Sequence, residues 1–177
     1  MIRWKPFAHN NVVYNLDHLH PKTVTFIQPA KENVPERTYT VDIEFGLHCF
    51  TCERKDGDDL ALIYSDAREQ RLFDFYRYNL SKQLPDVVDT LHKRKCYHTK
   101  HGNFFTIEII KEEGTTGQYE VYFTLSRSSK KGVLNLSLQS AYVRDRNHQT
   151  GGRKKPVGFF VLLFNTLHNR ETHPAPG

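Results

Sequence analysis

The feature that most constrains this chain is a change of hydrophobic period near Gly102. Beyond it come four apolar runs, "NFFTIEIIK" (103–111), "QYEVYFTLSR" (118–127), "GVLNLSLQSAYVRD" (132–145) and "PVGFFVLLFNTLH" (156–168). They are separated by Gly114 and Gly117, by "SSKKG" and by "NHQTGGRKK". Connections this short join antiparallel neighbours, because a parallel pair needs a crossover of about a dozen residues or more. The four runs therefore predict an antiparallel meander.

Before that point the period is helical. From Ser65 to about Lys93, Leu72, Phe75, Tyr76, Leu80, Leu84, Val87, Val88 and Leu91 recur at three- and four-residue steps, the spacing of a core-facing helix. Pro85 fits the first turn of a helix but not its interior, which predicts two helices, at about 66–80 and 84–94. "TYTVDIEFGLHCF" (38–50) alternates, with Tyr39, Val41, Ile43, Phe45 and Leu47 on one face and Asp42, Glu44 and His48 on the other, so it reads as a half-buried strand. Residues 1–38 are weakly specified, with one strand at "TVTFIQ" (23–28) and a loop at "PAKENVPER"; residues 169–177 read as a tail. The expectation is one α+β domain over 1–177, with helices packed on one face of a mainly antiparallel meander sheet. No N-terminal apolar region and no run of eighteen apolar residues occurs, so a cytoplasmic protein without membrane contact is expected.

"LHCFTCERK" (47–55) raises a metal question, since Cys49 and Cys52 have the C-x-x-C spacing and Cys96, His98 and His101 could complete a tetrahedron. Against zinc, "CFTCER" lacks a glycine or proline to turn it, and residues three apart on a strand point to opposite faces. The expectation is no metal and no cofactor, with Cys49, Cys52 and Cys96 as reduced, largely buried thiols. His48 then becomes the residue of interest.

The net charge of +5 is unevenly placed. Between Arg127 and Lys155 eight basic residues face one acid, Asp145, which is +7 in that segment alone. Such a field favours a polyanion. The basic loops 128–131 and 146–155 supply candidate phosphate contacts in Lys130, Lys131, Arg146, Arg153, Lys154 and Lys155, and Tyr97, Phe104 and Tyr122 candidate stacking surfaces.

No Walker loop, dinucleotide glycine fingerprint, G-x-S-x-G or H-E-x-x-H is present, and the acidic pairs Asp58–Asp59 and Glu112–Glu113 lie in turn-like stretches unsuited to a two-metal site. The abundant His, Arg, Tyr and Lys suit RNA cleavage without metal, in which a base takes the 2′-hydroxyl proton, a cation holds the phosphorane charge and an acid protonates the leaving oxygen. His48 and His168 are candidate proton carriers, Arg127 and Arg144 candidate phosphate ligands, and Tyr142 a candidate stacking or proton-donating group. If 132–145 and 156–168 form a plain hairpin, Arg144 and His168 lie at opposite ends of it, so Arg144 with Tyr142 is the more coherent pair and His48 or Arg127 their expected partner.

Helices followed by an antiparallel meander, with Arg144 and His168 near the ends of late strands, resemble the small barnase-like and RelE-like ribonuclease toxins over roughly residues 66–168. The resemblance implies a histidine or glutamate base, with Glu120 in the glutamate role, and arginines on the phosphate. The leading expectation is a metal-independent ribonuclease of toxin or defence type, with RNA as substrate and an inhibitor or antitoxin protein as partner. The alternatives are a non-catalytic RNA- or DNA-binding module and a protein-binding adaptor or inhibitor.

Overall fold

The computed structural model describes residues 1–99, 103–112, 115–144 and 155–171. In chain order the strands are β1 (Phe7–His9), β2 (Val12–Tyr14), β3 (Lys22–Gln28), β4 (Arg37–His48), β5 (Thr51–Cys52), β6 (Ile63–Ser65) and β7 (Gln70–Phe73). Helices α1 (Phe75–Ser81) and α2 (Leu84–Asp89) follow, then β8 (Lys95–His98), β9 (Phe104–Glu112), β10 (Thr115–Arg127), β11 (Val133–Val143), β12 (Val157–Gly158) and α3 (Phe159–Leu167).

The fold is α+β, and its main sheet is mixed. Seven strands run in the order β12-β8-β9-β10-β11-β4-β3. The meander expected for β9, β10 and β11 is present, but β11 then pairs in parallel with β4, Leu136 opposite Ile43 and Leu134 opposite Val41. Nothing local in the sequence announces that pairing, because the residues it joins lie more than ninety positions apart. Two small sheets, β1-β2 and β5-β7-β6, complete the strands.

The last apolar run is a helix. "GFFVLLFNTL" has no alternation that would favour a strand, and α3 buries Phe159, Leu162 and Leu163, the i, i+3, i+4 set of one helical face. Phe159 packs edge-on against Phe26 and Phe123, so α3 covers the core side of the sheet. Residues 66–74 also depart from expectation. Asp66 accepts the backbone N–H groups of Arg68 and Glu69, turning the chain so that β6 and β7 pair as a hairpin, and α1 starts only after Asp74, which caps Arg77 N–H. Pro85 sits in the first turn of α2, as its chemistry requires.

The N-terminal segment is better specified than its composition suggests. Asn10 and Asn11, both at positive φ, make the two-residue turn of β1-β2, and Trp4, Phe7, Leu16 and Leu19 are buried in the one hydrophobic core that spans the chain. On β4 the alternation is as read, with Tyr39, Val41, Ile43, Phe45 and Leu47 buried.

The change from Leu138 to Ser140 on β11 marks a β-bulge. Leu138 opposes Phe45 and Ser140 opposes His48, so one residue of β11, Gln139, faces Gly46 and Leu47 of β4. A Cβ on Gly46 would lie 2.8 Å from the Leu138 carbonyl oxygen and 2.9 Å from that of Gln139, which explains a glycine there. After the bulge Ala141 continues the core face, while Ser140 and Tyr142 stand on the other.

Candidate functional site

A cleft of about 440 Å³ opens at this bulge. It is lined by His48 and Glu44 from β4, Ser137, Gln139 and Ser140 from β11, and Arg68 and Glu69 from the β6-β7 turn. Ile2 and Trp4 form one wall; Trp4 is fixed by its indole N–H donating to the Phe45 carbonyl at 2.8 Å.

His48 Nε2 lies 2.7 Å from Glu69 Oε1, and both side chains keep water contact, at 40% and 38% exposure. The hydrogen bond from His48 holds the Glu69 carboxyl below its ordinary range, and Arg71, at 3.5 Å from the other oxygen, adds to this. An ionised carboxylate only accepts, so Nε2 carries the proton and the lone pair sits on Nδ1. That is the arrangement of a histidine general base oriented by an acid. Arg68 is paired through Nε and Nη2 with Asp66, at 3.0 and 2.8 Å.

A second polar group stands on the same face of the sheet. Glu120, 1% exposed, meets Arg144 Nε at 2.9 Å in an ion pair made outside good hydrogen-bond angles, and accepts the Tyr122 hydroxyl. Arg144 Nη2 donates to that hydroxyl at 3.0 Å. Burial, then the bond to Glu120, pushes the Tyr122 phenol up. Burial works against the Arg144 charge, but its bonds to Tyr122 and Glu120 prevail and raise its basicity. Tyr122 and Tyr142 stack at 5.5 Å, and Tyr122 continues into Phe105 and Tyr97. Arg77 links the two groups, because its Nη1 donates to the carbonyls of His48 and Thr51 at 3.3 and 2.9 Å and its guanidinium lies 5.6 Å over the Tyr142 ring.

Four of the residues singled out in the sequence thus share one face: His48, Glu120, Tyr142 and Arg144. The other two do not. Arg127 ends β10 opposite Leu134, toward the far end of β4, and His168 caps the C-terminus of α3, so neither reaches His48. Glu69 and Arg68, which the sequence reading placed in a helix, belong to the cleft instead. Their only sequence signal was the Asp66 turn residue.

The basic loops are also redistributed. Lys130 is held by Asp42 at 2.9 Å, and bonds from Thr23 and then Lys130 depress the Asp42 carboxyl. Lys131 and Lys155 are exposed, while Arg146, Arg153 and Lys154 lie outside the described residues. Of the stacking candidates, Phe104 is buried in the core, and Tyr97 and Tyr122 are half-buried in the aromatic row.

Cys49 and Cys96 are buried, and burial pushes both thiols up to about 12, whereas Cys52 is half-buried. Cys49 Sγ points at the Leu138 carbonyl, 3.9 Å away. Cys96 and His98 lie on β8, and no group of three or more metal-ligating side chains gathers among the described residues; His101 lies outside them.

The family model of the YjaZ family matches residues 6–167. The chain belongs to the YjaZ family. That match takes in the N-terminal hairpin, the cleft apart from its Ile2 and Trp4 wall, and α3, so the His48–Glu69 pair is part of the YjaZ-family domain rather than an appendage to it. No curated protein and no solved structure matches the chain. Among the described residues of this YjaZ-family chain no helix is long and apolar enough to cross a membrane.

Proposed function

We propose that this YjaZ-family chain is a metal-independent endoribonuclease whose acid–base centre is His48 oriented by Glu69. The observation that carries the reading is the 2.7 Å His48–Glu69 pair, half open to water in a cleft that also holds a guanidinium, Arg68. His48 Nδ1 takes the proton of a ribose 2′-hydroxyl; that oxygen attacks phosphorus, the bond to the 5′-oxygen breaks, and the leaving oxygen receives a proton from the histidinium. Arg68 faces the non-bridging oxygens, and Tyr142 with Arg144 flanks the strand beyond Ser140. No cofactor enters this chemistry. A cytoplasmic toxin or defence role, with an inhibitor or antitoxin protein as partner, goes with the proposal.

The test is incubation of purified protein with labelled RNA in EDTA. Shortened products with cyclic-phosphate ends, lost in His48→Ala, are expected, and intact RNA at every pH tried would end the reading. A non-catalytic nucleic-acid-binding module is the second reading. It is favoured by Arg127 and Lys131, exposed at the β10-β11 turn with no carboxylate partner among the described residues. Salt-sensitive RNA binding without any cleavage would select it.

A further inference from the structure

The far end of β4 carries a feature that the cleft does not use. Arg37, the first residue of β4, places its guanidinium carbon 4.3 Å from the centre of the Phe164 ring on α3, and Arg170 places its own 5.2 Å from the same centre. The His168 ring lies 4.3 Å from that ring as well. Three basic side chains therefore surround one aromatic ring.

The backbone fixes this arrangement. α3 ends with Asn169 at φ 53, in the left-handed region. The Arg170 N–H bonds the Asn165 carbonyl at 2.8 Å and the Asn169 N–H bonds that of Thr166 at 3.2 Å, the paired bonds of a Schellman ending. This ending folds Arg170 back over the last turn, so its position is set by the helix and not by a free tail. Among the described residues neither Arg37 nor Arg170 has an ion pair with a carboxylate, although Glu36 and Glu171 are their chain neighbours. A guanidinium over a ring uses its face, and its N–H fork stays in the plane, available for two parallel bonds to an anion. A phosphodiester offers that fork two equivalent oxygens, as a carboxylate does, and a nucleic-acid strand repeats such a group at every residue, so neighbouring phosphates can meet the two arginines.

We propose that Arg37 and Arg170, held on Phe164 beside His168, form a site for the phosphate backbone of single-stranded nucleic acid, separate from the His48 cleft. The ligand class rests on the proposed function, but the site does not depend on cleavage. Arg37 and His48 stand eleven residues apart on β4, about 36 Å along the strand at roughly 3.3 Å per residue, and in opposite phases of its alternation. The site thus holds a strand remote from the reacting phosphate.

The experiment uses the full chain and a fluorescein-labelled, fully 2′-O-methylated RNA dodecamer, which keeps the phosphates and removes the hydroxyl that cleavage needs. Binding is read by anisotropy across a salt series. Arg37→Gln with Arg170→Gln is expected to weaken binding at least tenfold at low salt and to flatten the log–log salt slope by about 1.4, two single-strand contacts. Lys55→Gln with Lys93→Gln, which removes the same formal charge from exposed positions elsewhere, is expected to change affinity less than twofold. Unchanged affinity in the arginine pair, an equal loss in the lysine pair, or binding of a poly-glutamate peptide in place of the oligonucleotide would overturn the proposal. If the arginine pair melts early, the single exposed Arg170→Gln carries the test, with about a threefold loss expected. Failure of cleavage with binding intact would remove only the catalytic reading.

Discussion

The two ends of β4 differ in how their charges are satisfied. At the His48 end charged groups of the cleft are paired inside the molecule: His48 with Glu69, Glu69 with Arg71, and Arg68 with Asp66. At the Arg37 end the cations rest on an aromatic ring and lack carboxylate partners among the described residues. Internal pairing fixes tautomer and orientation, which proton transfer needs. Cations stacked on a ring keep their donors for something outside. The difference teaches that cations of the cleft are already committed to carboxylates, whereas those at the Arg37 end are held by a ring and keep their donors.

That comparison can be sharpened by perturbing each end and the structure between. The largest effect is expected at Glu120, the buried carboxylate next to the cleft. Glu120→Ala leaves Arg144 without its counter-charge, and a loss of about 3 kcal/mol in chemical denaturation is expected, at the lower end for a broken buried pair because Arg144 retains some solvent contact. Glu69→Gln, at an exposed pair, should cost under about 1 kcal/mol. Equal losses would show that the two carboxylates are not differently placed.

Gly46→Ala comes next. The new Cβ would press on two backbone carbonyls at the bulge, and a destabilisation of about 2 kcal/mol is expected, with the cleft distorted. Full stability would mean that the β4-β11 approach is looser than described.

Acid should act in two stages. Burial lowers the His18 pKa below its ordinary 6.5, and the ring bonds Ser81 at 2.8 Å, so the unfolded chain binds the extra proton first. Its contribution is complete above about pH 6.5 and is lost as pH falls below that value. Glu69 and Asp42 have depressed values, so their contributions hold above the ordinary carboxylate range and disappear as pH falls through it, below about pH 4.5. Thermal midpoints measured from pH 8 to pH 3 should show both declines, and His18→Gln should remove the first. The smallest effect is expected from Arg37→Gln with Arg170→Gln, within about 0.5 kcal/mol of the parent, since Arg170 is exposed, Arg37 is only half-buried and neither has an ion pair among the described residues.

Much of the fold could be read before the structure. The alternation of β4, the meander of β9 to β11 and the Pro85 break between α1 and α2 rest on local periodicity, and local periodicity suffices for them. α3 was read as a strand because a run of apolar residues without spacing gives no period to decide on; packing against Phe26 and Phe123 decides it. The parallel β4-β11 pair leaves no local mark. The site was legible in half. His48, Tyr142 and Arg144 were singled out from residue type and strand phase, and Glu120 from a family resemblance. The bulge that moves Ser140 and Tyr142 to the other face could not be read without the pairing partner. Glu69 was missed because its partner lies 21 positions away across a turn, Arg127 ends β10 away from His48, and His168 falls away from the site because the run that ends in it is a helix and not a strand.

The proposed division between a cleaving cleft at His48 and a remote strand-holding site at Arg37 and Arg170 is tested most directly by steady-state RNA cleavage in EDTA, with kcat and KM resolved for His48→Ala and for Arg37→Gln with Arg170→Gln. Removing the base should lower kcat by about 100-fold or more while leaving KM near the parent value. The arginine pair should raise KM at least severalfold with kcat retained. A His48→Ala chain with undiminished kcat, or the two variants changing the same constant, would contradict it.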